Sequence, residues 1–118
     1  MVMYNRLFKL WHYTVSHEQL LLRSMGDEKV CNIDIYFGDV SYIELPAKIN
    51  KIEILETLQE DIDYITQKIG STDKIITVMM SENRKYYVVS SIMKIIENNL
   101  SMFELPFDIG NSVEGIEE

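Results

Sequence analysis

From Tyr13 to Pro46 short apolar runs follow one another with only brief polar breaks: YTVSHEQLLLRS, then KVCNIDIYF, then DVSYIELP. Apolar positions at a period of two mark half-buried strands, so this stretch predicts a compact β-meander. A first strand is expected over 4–16, with Leu7, Trp11, Tyr13 and Val15 on one face, Lys9 as the exception, and Arg6, His12 and Thr14 on the other. Phe8 and Leu10 break the polarity of that second face. Leu7, Leu10 and Trp11 also fit helical spacing, but the β-branched and aromatic richness of 11–15 favours a strand. A turn at 16–19 leads into Leu20, Leu21, Leu22 and Arg23, a run that suits a strand covered on both faces. After the polar turn Met25-Gly26-Asp27-Glu28, the residues Cys31, Ile33, Ile35 and Phe37 alternate against Asn32, Asp34 and Tyr36. Gly38-Asp39 reads as a turn into a fourth strand over 40–45 ended by Pro46. A short fifth strand is expected over 51–55.

The pattern then changes period. Thr57-Leu58-Gln59-Glu60 has the form of a capping box, and Leu58, Ile62, Ile65 and Ile69 make one apolar stripe, predicting a helix over about 57–69 with Gly70 as its left-handed cap. Two long strands, 74–81 and 85–96, follow as a hairpin around Glu82-Asn83-Arg84. Residues 100–105 fit a short helical turn or a last edge strand. The expected fold class is α+β: a strongly bent antiparallel sheet or partly open β-barrel, with one amphipathic helix over an opening or a face. Parallel βαβ architecture is not expected, because helices do not recur between strands. One globular domain over 1–110 is expected, followed by an acidic, frayed tail over 111–118.

Composition narrows the function classes. The 118 residues carry 11 basic and 19 acidic side chains, a net charge of −8. That balance opposes binding to a phosphate backbone or to an anionic membrane surface, so no nucleic-acid or membrane partner is expected. The single cysteine, Cys31, sits among strand residues and is expected to be a small buried hydrophobe in a reducing compartment. No secretory signature and no membrane-length apolar run is read in the sequence, making the cytoplasm the expected location.

Candidate chemistry is sparse. Ser16-His17-Glu18 offers a nucleophile, a base and a carboxylate, but adjacent residues diverge on a strand or turn, and no G-x-S-x-G elbow accompanies them. A strand-connecting turn is the plainer reading. His12 and His17 are the two histidines, without HExxH spacing, paired CxxC or a calcium loop, so no metal site is expected. No glycine-rich phosphate loop is present, and no cofactor is expected. Asp34 stands with Asn32 and Tyr36 on the polar face of its strand, where it would line a polar pocket or an interface or, on the plainer reading, face water. Tyr36, Tyr42, Tyr86, Tyr87 and Trp11, with Met79, Met80 and Met93, are expected to pack as core and cross-strand contacts rather than to stack bases.

The run YTVSHEQLLLRS at 13–24, the NIDI at 32–35 and the RKYYVV at 84–89 resemble a group of small bacterial proteins that carry no assigned function. The resemblance implies a bacterial, cytoplasmic origin and transfers no catalytic residue. Two function classes stand against each other. A non-enzymatic protein-interaction module is favoured by an acidic, motif-poor chain whose long strands could pair at an edge; it would self-associate, or neutralise a basic partner as small bacterial immunity proteins do. The alternative is a small-molecule-binding domain or small enzyme with a site at the mouth of a curved sheet, where His12, His17, Asp34 and Tyr36 are the ligand-binding candidates and no catalytic residue can be named.

Overall fold

A computed structural model describes residues 2–102 and 104–106. Six antiparallel strands and one helix follow one another: β1 Val2–Thr14, β2 Gln19–Ser24, β3 Asn32–Glu44, β4 Lys48–Leu55, α1 Gln59–Ile69, β5 Ile75–Ser81 and β6 Arg84–Asn98. The strand pairings run β1-β2-β3-β6-β5-β4 and return to β1, so the curved sheet closes into a ring. Each strand thereby gains two neighbours. Local pattern left closure of the bent sheet undecided, because closure rests on the pairing of β1 with β4, strands more than thirty residues apart that no local pattern links.

The interior is filled by side chains pointing inward from the ring, among them Phe8, Leu20, Leu22, Ile35, Phe37, Ile52, Met79 and Val88, all at 0–1% exposure. Burying each is worth about 2 kcal/mol. The face assignment expected for β1 does not hold: Phe8 is the core residue, while Leu7 and Tyr13 of the opposite face and Leu10 of its own are exposed. Two irregularities explain why a period of two fails here. Register shifts occur against β4 between Tyr4 and Leu7, and against β2 between Leu10 and His12. Each resets which side chains face inward.

Gly38-Asp39 does not end a strand. β3 runs through it, with Gly38 opposite Ile92 and Val40 opposite Ser90, and the local signal survives as the positive φ of 54° at Asp39. Ser91 Oγ and Lys74 Nζ both donate to the Asp39 carboxylate. The hairpin between β5 and β6 forms as expected but with a tighter tip: Ser81 pairs with Arg84, and Glu82 and Asn83 both have positive φ. Residues 100–102 form neither a strand nor a helix. The acidic 111–118 segment lies outside the described residues.

The helix covers an outer face. Ile65 packs with Val78, Tyr87 and Val89, flanked by Tyr64, Tyr42 and Ile76. The expected apolar stripe does not dock as a unit, since Leu58, Ile62 and Ile69 remain 37–48% exposed. The capping is also displaced. Thr57 Oγ1 donates to the Ile76 carbonyl and Glu60 pairs with Lys85, so the proposed box does not form. The cap moves one residue on, to Leu58, the helix begins at Gln59, and Asp61 accepts the Leu58 amide at 2.9 Å in the role expected of Glu60. Gly70 ends the helix, its amide donating to the Thr66 carbonyl at 2.9 Å, but with φ 85° and ψ −179° it is not in the left-handed helical region expected of it. Among the described residues, no helix is long and apolar enough to cross a membrane.

Candidate functional site

The second outer face that acquires a cover begins with β2. Its four-residue run is buried on both sides as expected: Leu20 and Leu22 enter the ring interior, while Leu21 joins Tyr36, Trp11, Ile96 and Leu105 outside it. Arg23 lies on that outer side at 0% exposure, opposite Asp34 of β3 in strict register. Its Nε and Nη2 donate to the two Asp34 carboxylate oxygens at 2.6 and 2.9 Å. Asp34, expected to face water, is fully buried. A charge can be held there only because its partner is a planar fork and its remaining lone pairs are also used: Asn98 Nδ2 donates to Oδ2 at 2.7 Å.

The free edge of the same guanidinium binds the chain that follows β6. Arg23 Nη1 donates to the carbonyls of Ser101 and Glu104, at 3.2 and 2.8 Å. Asn32 adds a second tie, donating to the Leu100 carbonyl while accepting the Gly26 amide. Trp11, which has no partner in β2 because of the bulge, lies with its ring centroid 5.5 Å from the guanidinium carbon. The segment leaving β6 is thus strapped across the outer side of β2 and β3.

A pocket of about 480 Å³ opens where this strap meets β1. Its floor and walls come from Trp11 and from Leu7, Met25 and Met102, the last three 41–54% exposed. Three cations, Arg6, Lys9 and Arg23, complete it, and among the described residues no carboxylate lines it. Arg23 is neutralised by Asp34. Arg6 donates to uncharged acceptors, the Ser24 hydroxyl and the Ser24 and Cys31 carbonyls. An acidic residue, Asp27, stands in an adjoining hollow shared with Arg6 and Met25. The amides of Lys29 and Val30, helped by Arg6, hold the Asp27 carboxyl below its usual range. This pocket was not read from the sequence. The only local signal was Arg6, Lys9 and Trp11 standing on one strand; Met25 and Met102 come from distant parts of the chain.

The four sequence candidates do not line this pocket. Asp34 and Tyr36 share the outer face of β3, but Asp34 is committed to Arg23 and the Tyr36 hydroxyl accepts Gln19 Nε2 at 3.1 Å. His12 is in register with Leu21, and Leu21 with Tyr36, which sets His12 two strands, or about 10 Å, from Tyr36. Its Nε2 is enclosed without a hydrogen-bond partner among the described residues. His17 is exposed in the β1–β2 turn. The Ser16-His17-Glu18 triplet forms that turn, as the plainer reading expected. Cys31 is half-exposed rather than buried, with Sγ 3.6 Å from the Glu97 carboxylate. Among the described residues, no three His, Cys, Asp or Glu side chains gather where they could hold a metal ion.

The other charged cluster anchors the helix. Asp61, 1% exposed, accepts the Leu58 amide, Lys85 Nζ and the Tyr87 hydroxyl. Burial pushes its carboxyl up, but those three donors outweigh burial and leave it below the usual value. Burial and then Asp61 push the Tyr87 phenol up to about 12. Glu44 does the same to Tyr42, first by accepting its hydroxyl, then aided by burial, to about 12. Tyr64 of α1 also donates to Glu44, and with the Asp61 bonds this fixes α1 on the sheet.

Compared with family models, curated proteins and solved structures, the chain matches none.

Proposed function

We propose that this chain is a non-enzymatic protein-interaction module that engages its partner through the outer face of β1 and β2. The observation that carries the reading is the cluster of Leu7, Met25 and Met102, exposed together around Trp11 beside Arg6 and Lys9. Large apolar side chains grouped with a polar rim are characteristic of surfaces that bind other molecules. The route differs from the one the sequence suggested. Strand addition at an edge needs unpaired backbone, and the ring gives every described strand two neighbours. A partner therefore docks on a face.

The pocket volume also falls within the range of small-molecule sites, which keeps a ligand-binding domain as the second reading. A photo-crosslinking residue at position 7 of the full chain separates the two in native cells. A discrete protein adduct at position 7, absent from a control at the exposed helical position 67, is expected. No adduct at either position, together with a bare monomer in native mass spectrometry, overturns the proposal. A stoichiometric small-molecule mass favours the second reading.

A further inference from the structure

From the pocket's charge we infer the chemistry of the partner: the β1–β2 groove receives an acidic, apolar segment of a different protein chain. The inference rests on the interaction reading above. It runs against the chain's net charge. A molecule with 19 acidic and 11 basic residues would be expected to attract basic partners, yet among the described residues this groove holds three basic side chains and no carboxylate.

The three cations are not equivalent. Arg23 is spent on Asp34 and two carbonyls, so it shapes the wall and supports Trp11 from one side. Arg6 is held in place by Ser24 and Cys31, which orients its guanidinium, while Asp27 in the adjoining hollow offsets part of its charge and Lys9 is left as the exposed cation. Lys9 projects from an exposed position between Leu7 and Trp11. A preset guanidinium and an exposed ammonium, set among Leu7, Met25 and Met102, match a segment in which carboxylates alternate with apolar side chains. The methionines suit such a role, since their unbranched thioethers repack around varied apolar shapes. A basic segment would place like charges against Arg6 and Lys9 in a partly desolvated hollow.

The same position-7 crosslink tests this. Capture of a protein supports only the interaction module; the inference is judged by the sequence of the crosslinked segment and by Lys9. The expected result is a segment of net negative charge containing apolar residues, from another protein. Binding of that purified partner should weaken at least about 10-fold with Lys9→Glu and stay near wild type with Lys9→Arg. A neutral or basic segment overturns the inference and leaves the interaction module standing. So does an adduct within the same chain or to a second copy, or a Lys9→Glu affinity equal to wild type. Failure to capture any protein, together with a bare monomer in native mass spectrometry, overturns both.

Discussion

Arg23 and Asp34 form a two-bond ion pair with both side chains at 0% exposure, and the same arginine ties down the carbonyls of Ser101 and Glu104. One residue therefore joins two strands and the segment that crosses them. Removing one member of a buried pair strands the other charge, so Asp34→Ala or Arg23→Ala is expected to cost about 3–5 kcal/mol. Urea denaturation measures it. The double replacement Arg23→Met with Asp34→Leu is expected to lose less than the sum of the two single changes, because no charge is left buried. Hydrogen exchange at 100–102 should still rise in that variant, as the strap has lost its anchor.

Asp61 links the helix start to β6 through Leu58, Lys85 and Tyr87. Asp61→Ala removes a helix cap and a buried charge-assisted acceptor, with an expected loss of about 2 kcal/mol by denaturant titration. Because its folded carboxyl lies below the ordinary 3.8, its contribution is complete above that value and falls away as pH drops through the lowered one. Wild-type stability should therefore decline on acidification below about pH 4, and that part of the decline should be missing from Asp61→Asn.

Gly26 opens the turn beside the pocket. A Cβ there would lie 1.9 Å from the Val30 carbonyl oxygen and 2.5 Å from the Cys31 carbonyl carbon, both backbone atoms. Gly26→Ala is expected to displace the turn at a cost of about 1–3 kcal/mol. Since Arg6 donates to the Cys31 carbonyl, the single tryptophan, Trp11, should report the change as a shift in emission.

The β5–β6 turn offers the opposite outcome. Glu82 holds φ at 51°, a conformation that asparagine tolerates better than glutamate. Glu82→Asn is expected to raise stability by up to about 1 kcal/mol, read as a higher urea midpoint with an unchanged slope.

Leu7 is 45% exposed and its loss should hardly affect folding. Leu7→Glu is expected to change stability by no more than about 0.5 kcal/mol while abolishing crosslinking-dependent partner capture from a probe placed at Met102. A folded variant that still captures its partner would move the interface elsewhere.

Local order determined much of the fold. The strand character of β2, β3, β5 and β6, the helix near 59–69 and the β5–β6 hairpin are all legible, because period and turn chemistry are properties of neighbouring residues. The 20–23 run even announced burial on both faces, arginine included. Where local and nonlocal demands met, the nonlocal ones decided. Gly38-Asp39 has the conformation of a turn, yet pairing with β6 carries the strand through it. Two register shifts in β1 put Phe8 inside and Leu7 outside, against simple alternation.

The site belongs almost wholly to the second category. Asp34 looked like a solvated carboxylate because its partner, Arg23, lies 11 residues away and their cover 78 to 81 residues from Arg23. Leu7, Met25 and Met102 share a pocket only after β1, β2 and the strap converge. The sequence by itself determined which segments extend and which one coils, since those choices depend on side-chain spacing along the chain. Only the tertiary structure decided ring closure, the burial of the Arg23–Asp34 pair and the basic groove on an acidic protein, because each depends on which distant strands share a hydrogen-bonded register.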